Sequence, residues 1–234
     1  MVSHKYRCIF IHIPKCAGTS IERVLRQLEG GSDRGTVDHR TIRMIQPLAV
    51  LPILRSYRNQ QQLMHRVLYT LRQRTNKENT VTRQQYLDYF KFTIVRNPWS
   101  RAVSAYMNVM RGERHQRKLG VSEDTTLANF LVKYAGKRIL RSQMEWITDF
   151  CGRIPMDFIG RFENLEEDFK IITSTLGCGP VELPGRSAKL ARAKPWEMAE
   201  EVSDLIERVY KREIEYFGFG RPDSGHVAGL RLHG

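Results

Sequence analysis

No stretch of this sequence approaches the run of about eighteen apolar residues that a membrane-spanning helix needs, so no transmembrane segment is expected within it. A secretory leader is missing as well. Met1-Val2-Ser3-His4-Lys5-Tyr6-Arg7-Cys8 does not present a basic region, an apolar region and a small-residue cleavage site in that order, which points to a cytoplasmic protein. Cysteine is scarce: Cys8, Cys16, Cys151 and Cys178 form no Cys-x-x-Cys pair and have no histidine at zinc-finger spacing. That pattern excludes a disulfide scaffold and a structural zinc site, and free thiols are expected instead. Internal repeats are absent, and Gln60-Gln61-Gln62 is too short to be a low-complexity tract. Acidic residues run short against basic ones, 25 against 38, for a formal charge of +13. A field of that sign favours anionic partners (nucleic acid, nucleotide phosphates, acidic sugars, anionic lipid) without choosing among them.

What is present is ordinary globular material. The 234 residues are 41% hydrophobic and 27% charged, which excludes wholesale disorder. A chain of this mass can bury about 70% of its extended surface, enough for a full core. Tyr6 to Ile13 is short, apolar and rich in β-branched and aromatic residues, and reads as a buried parallel strand. Pro14 ends it, the turn Lys15-Cys16-Ala17-Gly18-Thr19-Ser20 follows, and Ile21, Val24, Leu25 and Leu28 then recur on one helix face until Gly30-Gly31. Phe92-Thr93-Ile94-Val95 predicts a second buried strand, running into Arg96, a capping Asn97 and Pro98 at the first turn of another helix. Trp99, Ala102, Val103 and Tyr106 supply that helix with a buried face.

Further elements are expected around these two units. A helix over 54–74 carries Met64, Val67, Leu68 and Leu71 as its apolar stripe, and a helical middle spans about 126–150. Asp157 to Phe162 predicts a third strand, followed by a helix capped by Asn164 and ending at Gly177. The last helix, about 197–217, buries Val202, Leu205, Ile206 and Val209 and stops at Gly218. The whole reads as an α/β, P-loop-like three-layer fold with a central parallel sheet flanked by helices. Residues 1–220 form a single domain in this reading, with 221–234 a flexible C-terminal tail. Two basic clusters, Arg111, Arg114, Arg117 and Lys118, and Arg186, Lys189, Arg192 and Lys194, lack the interleaved aromatics of a nucleic-acid platform and are read as acceptor-side contacts at most.

The two strand–turn–helix units carry the chemistry. Strands of an open α/β sheet deliver their following residues to one edge, where ligands collect, and amides at a helix N-terminus favour an anion there. Lys15 adds a positive charge, Gly18 allows close backbone approach, and Thr19 and Ser20 add hydroxyls. The lysine precedes the glycine, so the Gly-x-x-x-x-Gly-Lys-[Ser/Thr] spacing of a Mg-dependent triphosphatase is not met. Taken alone, this turn is equally an ordinary capped helix after a strand. Arg96 leaves the second strand as Lys15 leaves the first, with Ser104 two turns into the helix, which suits a second phosphate.

The motif Ile11-His12-Ile13-Pro14-Lys15-Cys16-Ala17-Gly18-Thr19-Ser20 resembles the 5′-phosphosulfate loop of sulfotransferases that use 3′-phosphoadenosine 5′-phosphosulfate (PAPS), in the branch of heparan-sulfate 2-O-sulfotransferases and bacterial carbohydrate sulfotransferases. Val95 to Tyr106 resembles that branch's 3′-phosphate motif, Asp157 to Leu165 its later strand–helix block, and Val209 to Gly218 its closing helix. The matches come in order along nearly the whole chain. The resemblance implies that Lys15, Gly18, Thr19 and Ser20 hold the 5′-phosphosulfate, that Lys15 also stabilises the leaving oxygen, and that Arg96 and Ser104 hold the 3′-phosphate. Cys16 departs from it, since many members carry threonine there.

The resemblance also implies that His39, in Val37-Asp38-His39-Arg40-Thr41, is the catalytic base, with Asp38 a lesser contributor; a surface-loop histidine is the alternative. His12 is expected to pack beside the loop, and Gln143 to line the acceptor side. The activity implied is transfer of a sulfuryl group from PAPS to a carbohydrate-type hydroxyl, on a polysaccharide, a glycolipid or a small hydroxyl acceptor, with no metal and no nucleic-acid partner. A kinase-like phosphotransferase and a basic nucleic-acid-binding α/β module are the alternatives.

Overall fold

A computed structural model describes residues 1–31, 37–48, 56–72, 80–179, 181–183 and 198–222. The elements in chain order are β1 (Val2–Ser3), β2 (Cys8–Ile11), α1 (Gly18–Leu28), α2 (Ile42–Ile45), α3 (Tyr57–Arg72), α4 (Arg83–Asp88), β3 (Phe90–Val95), α5 (Pro98–Met110), α6 (Glu113–Leu119), α7 (Leu127–Tyr134), α8 (Met144–Ile147), β4 (Phe158–Arg161), α9 (Leu165–Thr175) and α10 (Glu200–Phe217). They form two compact units: Met1–Val95 with Gln143–Leu183, and Arg96–Ser142 with Pro184–Gly234. No helix among the described residues is long and apolar enough to cross a membrane.

The first unit holds the sheet, in the order β1-β2-β3-β4. β2, β3 and β4 are parallel, with Ile9 beside Lys91, Ile11 beside Thr93, Phe92 beside Phe158 and Val95 beside Arg161. Every residue of β2 is buried, as a parallel strand covered on both faces requires. The sheet is not wholly parallel: β1, two residues that no periodicity in so short a run could announce, pairs antiparallel with β2. β2 is also shorter than Tyr6–Ile13, because the chain turns through Arg7 at φ 47° before entering it. Ile21, Val24 and Leu25 give α1 its buried face. Ahead of α9 the Asn164 side chain makes no cap; a 3-10 turn, Phe162–Asn164, leads in instead.

α3 departs most from expectation. Met64, Val67 and Leu68 are exposed, whereas Asn59 is buried and its Nδ2 donates to the Phe150 carbonyl at 2.9 Å; Leu71, the fourth residue of the expected stripe, lies outside the described side chains. Arg66 donates to the carbonyl of Gln46 at 2.6 Å, so a polar side chain of this helix reaches backbone that α2 leaves open at its end.

The second unit has its own core, built by Trp99, Ala102, Ala105 and Val109 of α5, Phe130, Leu131 and Tyr134 of α7, and Val202, Ile206 and Tyr210 of α10. The expected helical middle is broken into α7, a 3-10 turn at Arg138–Leu140 and, in the first unit, α8. Arg101, fully buried, spans the irregular stretch by donating to the carbonyls of Ile139 at 2.9 Å and Arg141 at 3.1 Å. α10 kinks at Tyr210 (φ −108°, ψ 16°). The buried residues Val202, Ser203, Ile206, Tyr210, Glu213 and Phe217 keep the 3.6-residue period across the kink, with Tyr210 on the buried stripe and the expected Val209 exposed. Gly218 ends the helix at φ 62°, with Phe219 N–H donating to the Ile214 carbonyl. The basic cluster at 111–118 lies on and beside α6 and is exposed; the cluster at 186–194 and the tail from 223 lie outside the described residues.

All four cysteines are free thiols. Burial pushes the Cys8 thiol up to about 12, whereas Cys151 is exposed. A thiol reagent at pH 8 is therefore expected to label Cys151 within minutes and Cys8 only on unfolding, read by mass spectrometry of digests. Ile206→Ala, at a fully buried position, should lower stability by about 3 kcal/mol in urea titration.

Candidate functional site

β2 ends at Ile11 and the chain passes through His12, Ile13 and Pro14, all buried, into the turn. The turn closes with Cys16 N–H on the Ile13 carbonyl at 3.3 Å. Lys15 (φ 71°) and Ala17 (φ 68°) both sit in the left-handed region, which costs an ordinary residue about 1 kcal/mol or more. Ala17 is the N-cap of α1 and offers no capping side chain; its carbonyl takes Ser20 N–H at 2.9 Å. The amides of Ala17, Gly18 and Thr19 are left without partners inside the helix, the arrangement that receives an anion. Gly18 is buried, Lys15 and Ser20 are half-buried, and Thr19 is exposed.

Cys16 points inward. Its thiol donates to Gln143 Oε1 at 3.3 Å, both side chains being buried. Gln143 therefore sits beneath the turn, not at an acceptor surface. Nothing in the spacing of residues 127 positions apart could have announced that contact.

His12 is the floor of the turn. A Cβ built on Gly18 would lie 1.9 Å from His12 Cδ2, so the glycine is required by that ring. The His12 ring stacks on Phe10 at a centroid distance of 5.9 Å and meets the His39 ring at 4.4 Å. The structure thus brings His39 to the residue that underlies the turn. His39 is exposed on one side and edges against Trp146 at 6.2 Å on another. Its Nδ1 faces the His12 carbonyl at 3.5 Å. A carbonyl only accepts, so Nδ1 carries the hydrogen and Nε2 keeps a lone pair. Crowding by protein and the neighbouring His12 hold the His39 pKa below the ordinary histidine value.

Asp38 does not face His39. Its carboxylate is forked onto Arg40, at 3.0 Å from Nε and 2.7 Å from Nη2, and meets the Met1 amine at 3.0 Å. Burial alone would raise its pKa, but these two cations hold the carboxyl far below the usual range. It stays ionised and spent on Arg40.

In the second unit, Arg96 follows Val95 directly and is buried. Its Nε donates to Ser100 Oγ at 3.0 Å, and Ser100 Oγ donates to the Asn97 carbonyl at 3.1 Å. Asn97 caps α5 as expected, accepting from Trp99 N–H at 3.1 Å, with Pro98 at the first turn. Ser104 is half-buried one turn beyond Ser100 on the same helix face. Ser100 is the residue sequence reasoning passed over; its i+4 spacing from both Arg96 and Ser104 was the available signal.

A profile described as Sulfotransferase family matches residues 1–220. Carbohydrate sulfotransferase 14 of Homo sapiens is 26% identical over 221 residues, covering 83% of this chain and 51% of that protein. The protein of the same name from Danio rerio is 26% identical over 203 residues, covering 76% and 48%. The chain spans about half the length of these relatives.

Gly18→Ala is expected to lower stability by about 1–3 kcal/mol in denaturant titration, through the clash with His12. In a His12→Ala background the same change should cost less than about 0.5 kcal/mol, because the obstructing ring is gone. Equal costs in the two backgrounds would contradict the packing described.

Proposed function

The chain belongs to the Sulfotransferase family, and from that membership we propose that it transfers a sulfuryl group from PAPS to a hydroxyl of a carbohydrate-type acceptor. The turn of the first unit takes the 5′-phosphosulfate: the amides at the mouth of α1 and the Lys15 ammonium face the phosphate, with the Thr19 and Ser20 hydroxyls beside them. Gly18 opens α1 in that turn, where the His12 ring leaves no room for a Cβ. Arg96 and Ser104 take the 3′-phosphate. As the acceptor oxygen bonds to sulfur, the bond from sulfur to the 5′-phosphate oxygen breaks in line. Lys15 and the amides offset charge gathering on that oxygen, and His39 Nε2 takes the acceptor's proton.

The observation that carries this reading is the contact of the His39 and His12 rings at 4.4 Å, which sets a histidine with an available lone pair beside the floor of the anion-binding turn. A carbohydrate acceptor is supported by the names of the similar proteins, and a charge of +13 suits an acidic sugar over a neutral one. The neutralising groups being lysine, arginine and amides, the step needs no metal. Four free thiols fit a reducing compartment, the cytoplasm in this reading.

Transfer of labelled sulfate from PAPS to a panel of acidic and neutral sugars tests the proposal. Lys15→Ala and His39→Ala should each lower kcat/KM by about 10²-fold or more. Adenosine 3′,5′-bisphosphate should raise Tm markedly and ATP with magnesium little; equal effects would overturn the donor assignment. The base must be neutral to act, and the His39 pKa lies below its ordinary value. The kcat/KM should therefore fall only on the acid side and be level by about pH 7.

A further inference from the structure

Glu22 is not used by the chemistry above, yet it is the most unusual side chain near it. It lies on the inward face of α1 between Ile21 and Val24 and is fully buried. A carboxylate there costs several kcal/mol unless charges and donors surround it. Its Oε1 meets His12 Nδ1 at 2.8 Å, its Oε2 meets Arg26 Nη2 at 2.6 Å, and the Asp38 amide lies 3.2 Å from each oxygen. One carboxylate thereby ties together the end of β2, its own helix and the segment entering His39.

The two connections that leave α1 converge. His12, gripped at Nδ1, turns one part of its ring to Gly18 and meets the tilted His39 ring at 4.4 Å. Asp38, gripped at its amide, is the residue before His39, whose own Nδ1 faces the His12 carbonyl. We propose that Glu22 is a positioning residue for sulfuryl transfer: through His12 and through the Asp38 amide it fixes His39 against the donor turn. Glu22 touches no substrate in this scheme, and its role in catalysis rests on the function proposed above.

The test is a double-variant cycle read alongside the ring of His39. Glu22→Gln keeps the size and one acceptor oxygen but cannot serve His12, Arg26 and the Asp38 amide together. It should lower kcat about tenfold or more in the otherwise native chain and less than about twofold in a His39→Ala background, because a residue acting through His39 has nothing left to position. The Kd for adenosine 3′,5′-bisphosphate should move by no more than about threefold. In the ¹⁵N spectrum of histidine-labelled protein, with the His39 signals identified by His39→Gln, Glu22→Gln should shift or broaden them. Losses that multiply in the two backgrounds, or His39 signals left unchanged, overturn the proposal. If Glu22→Gln fails to fold, Glu22→Asp withdraws the same charge by one methylene, and the same cycle and spectrum decide with smaller losses. A native chain that transfers no sulfate would defeat the proposed activity, while the His39 signals would still show whether Glu22 holds that ring.

Discussion

The close approach of an imidazole to a backbone that carries no Cβ sets the terms for the rest of the candidate site. Gly18 exists to let His12 lie beneath it, and His12 in turn faces His39. The turn, its floor and the neighbouring ring thus meet in one place. Within the first unit β2 carries the chain straight into this packing: its last residue, Ile11, is held beside Thr93 of β3, and His12 follows directly.

Buried polar side chains then do what regular structure does not. Where the chain is irregular, its carbonyls need donors, and long side chains supply them. Arg101 serves Ile139 and Arg141. Lys91 serves Tyr86 at 3.1 Å and Tyr89 at 2.6 Å. Asn59 and Arg66 do the same for the backbone at Phe150 and Gln46. Each is polar enough to read as surface and long enough to reach inward. That is why Asn59 and Arg66 go unread in the 54–74 helix: an attachment by hydrogen bonds leaves no hydrophobic period in the sequence.

The strands and the helices that follow them were legible because continuous apolar runs, Pro14 and the Asn97-Pro98 pair are local signals with local causes. The same holds for Gly218, whose φ of 62° few other residues would accept. Contacts between distant residues were not legible. Gln143 under Cys16 and Glu22 under Asp38 depend on how the chain returns on itself, and neither residue type announces a role. Val209 and Tyr210 lie three and four residues after Ile206 and both suit a stripe through it, so the period alone does not say that Tyr210 is the buried one. Motif resemblance, by contrast, singles out the turn at 15–20 from consecutive residues alone, because it needs no contact between distant parts of the chain.

Lys15 and Ala17 hold backbone angles that glycine would adopt freely. An engineer seeking a sturdier chain would look there first, since a glycine removes the torsional penalty in the folded form. The exchange would also widen the range of shapes open to the segment when it is empty. What a methyl and a butylammonium chain contribute, then, is a bend already set, and under the donor-binding role proposed for this turn a stiff cradle loses less entropy in closing on its guest than a slack one does.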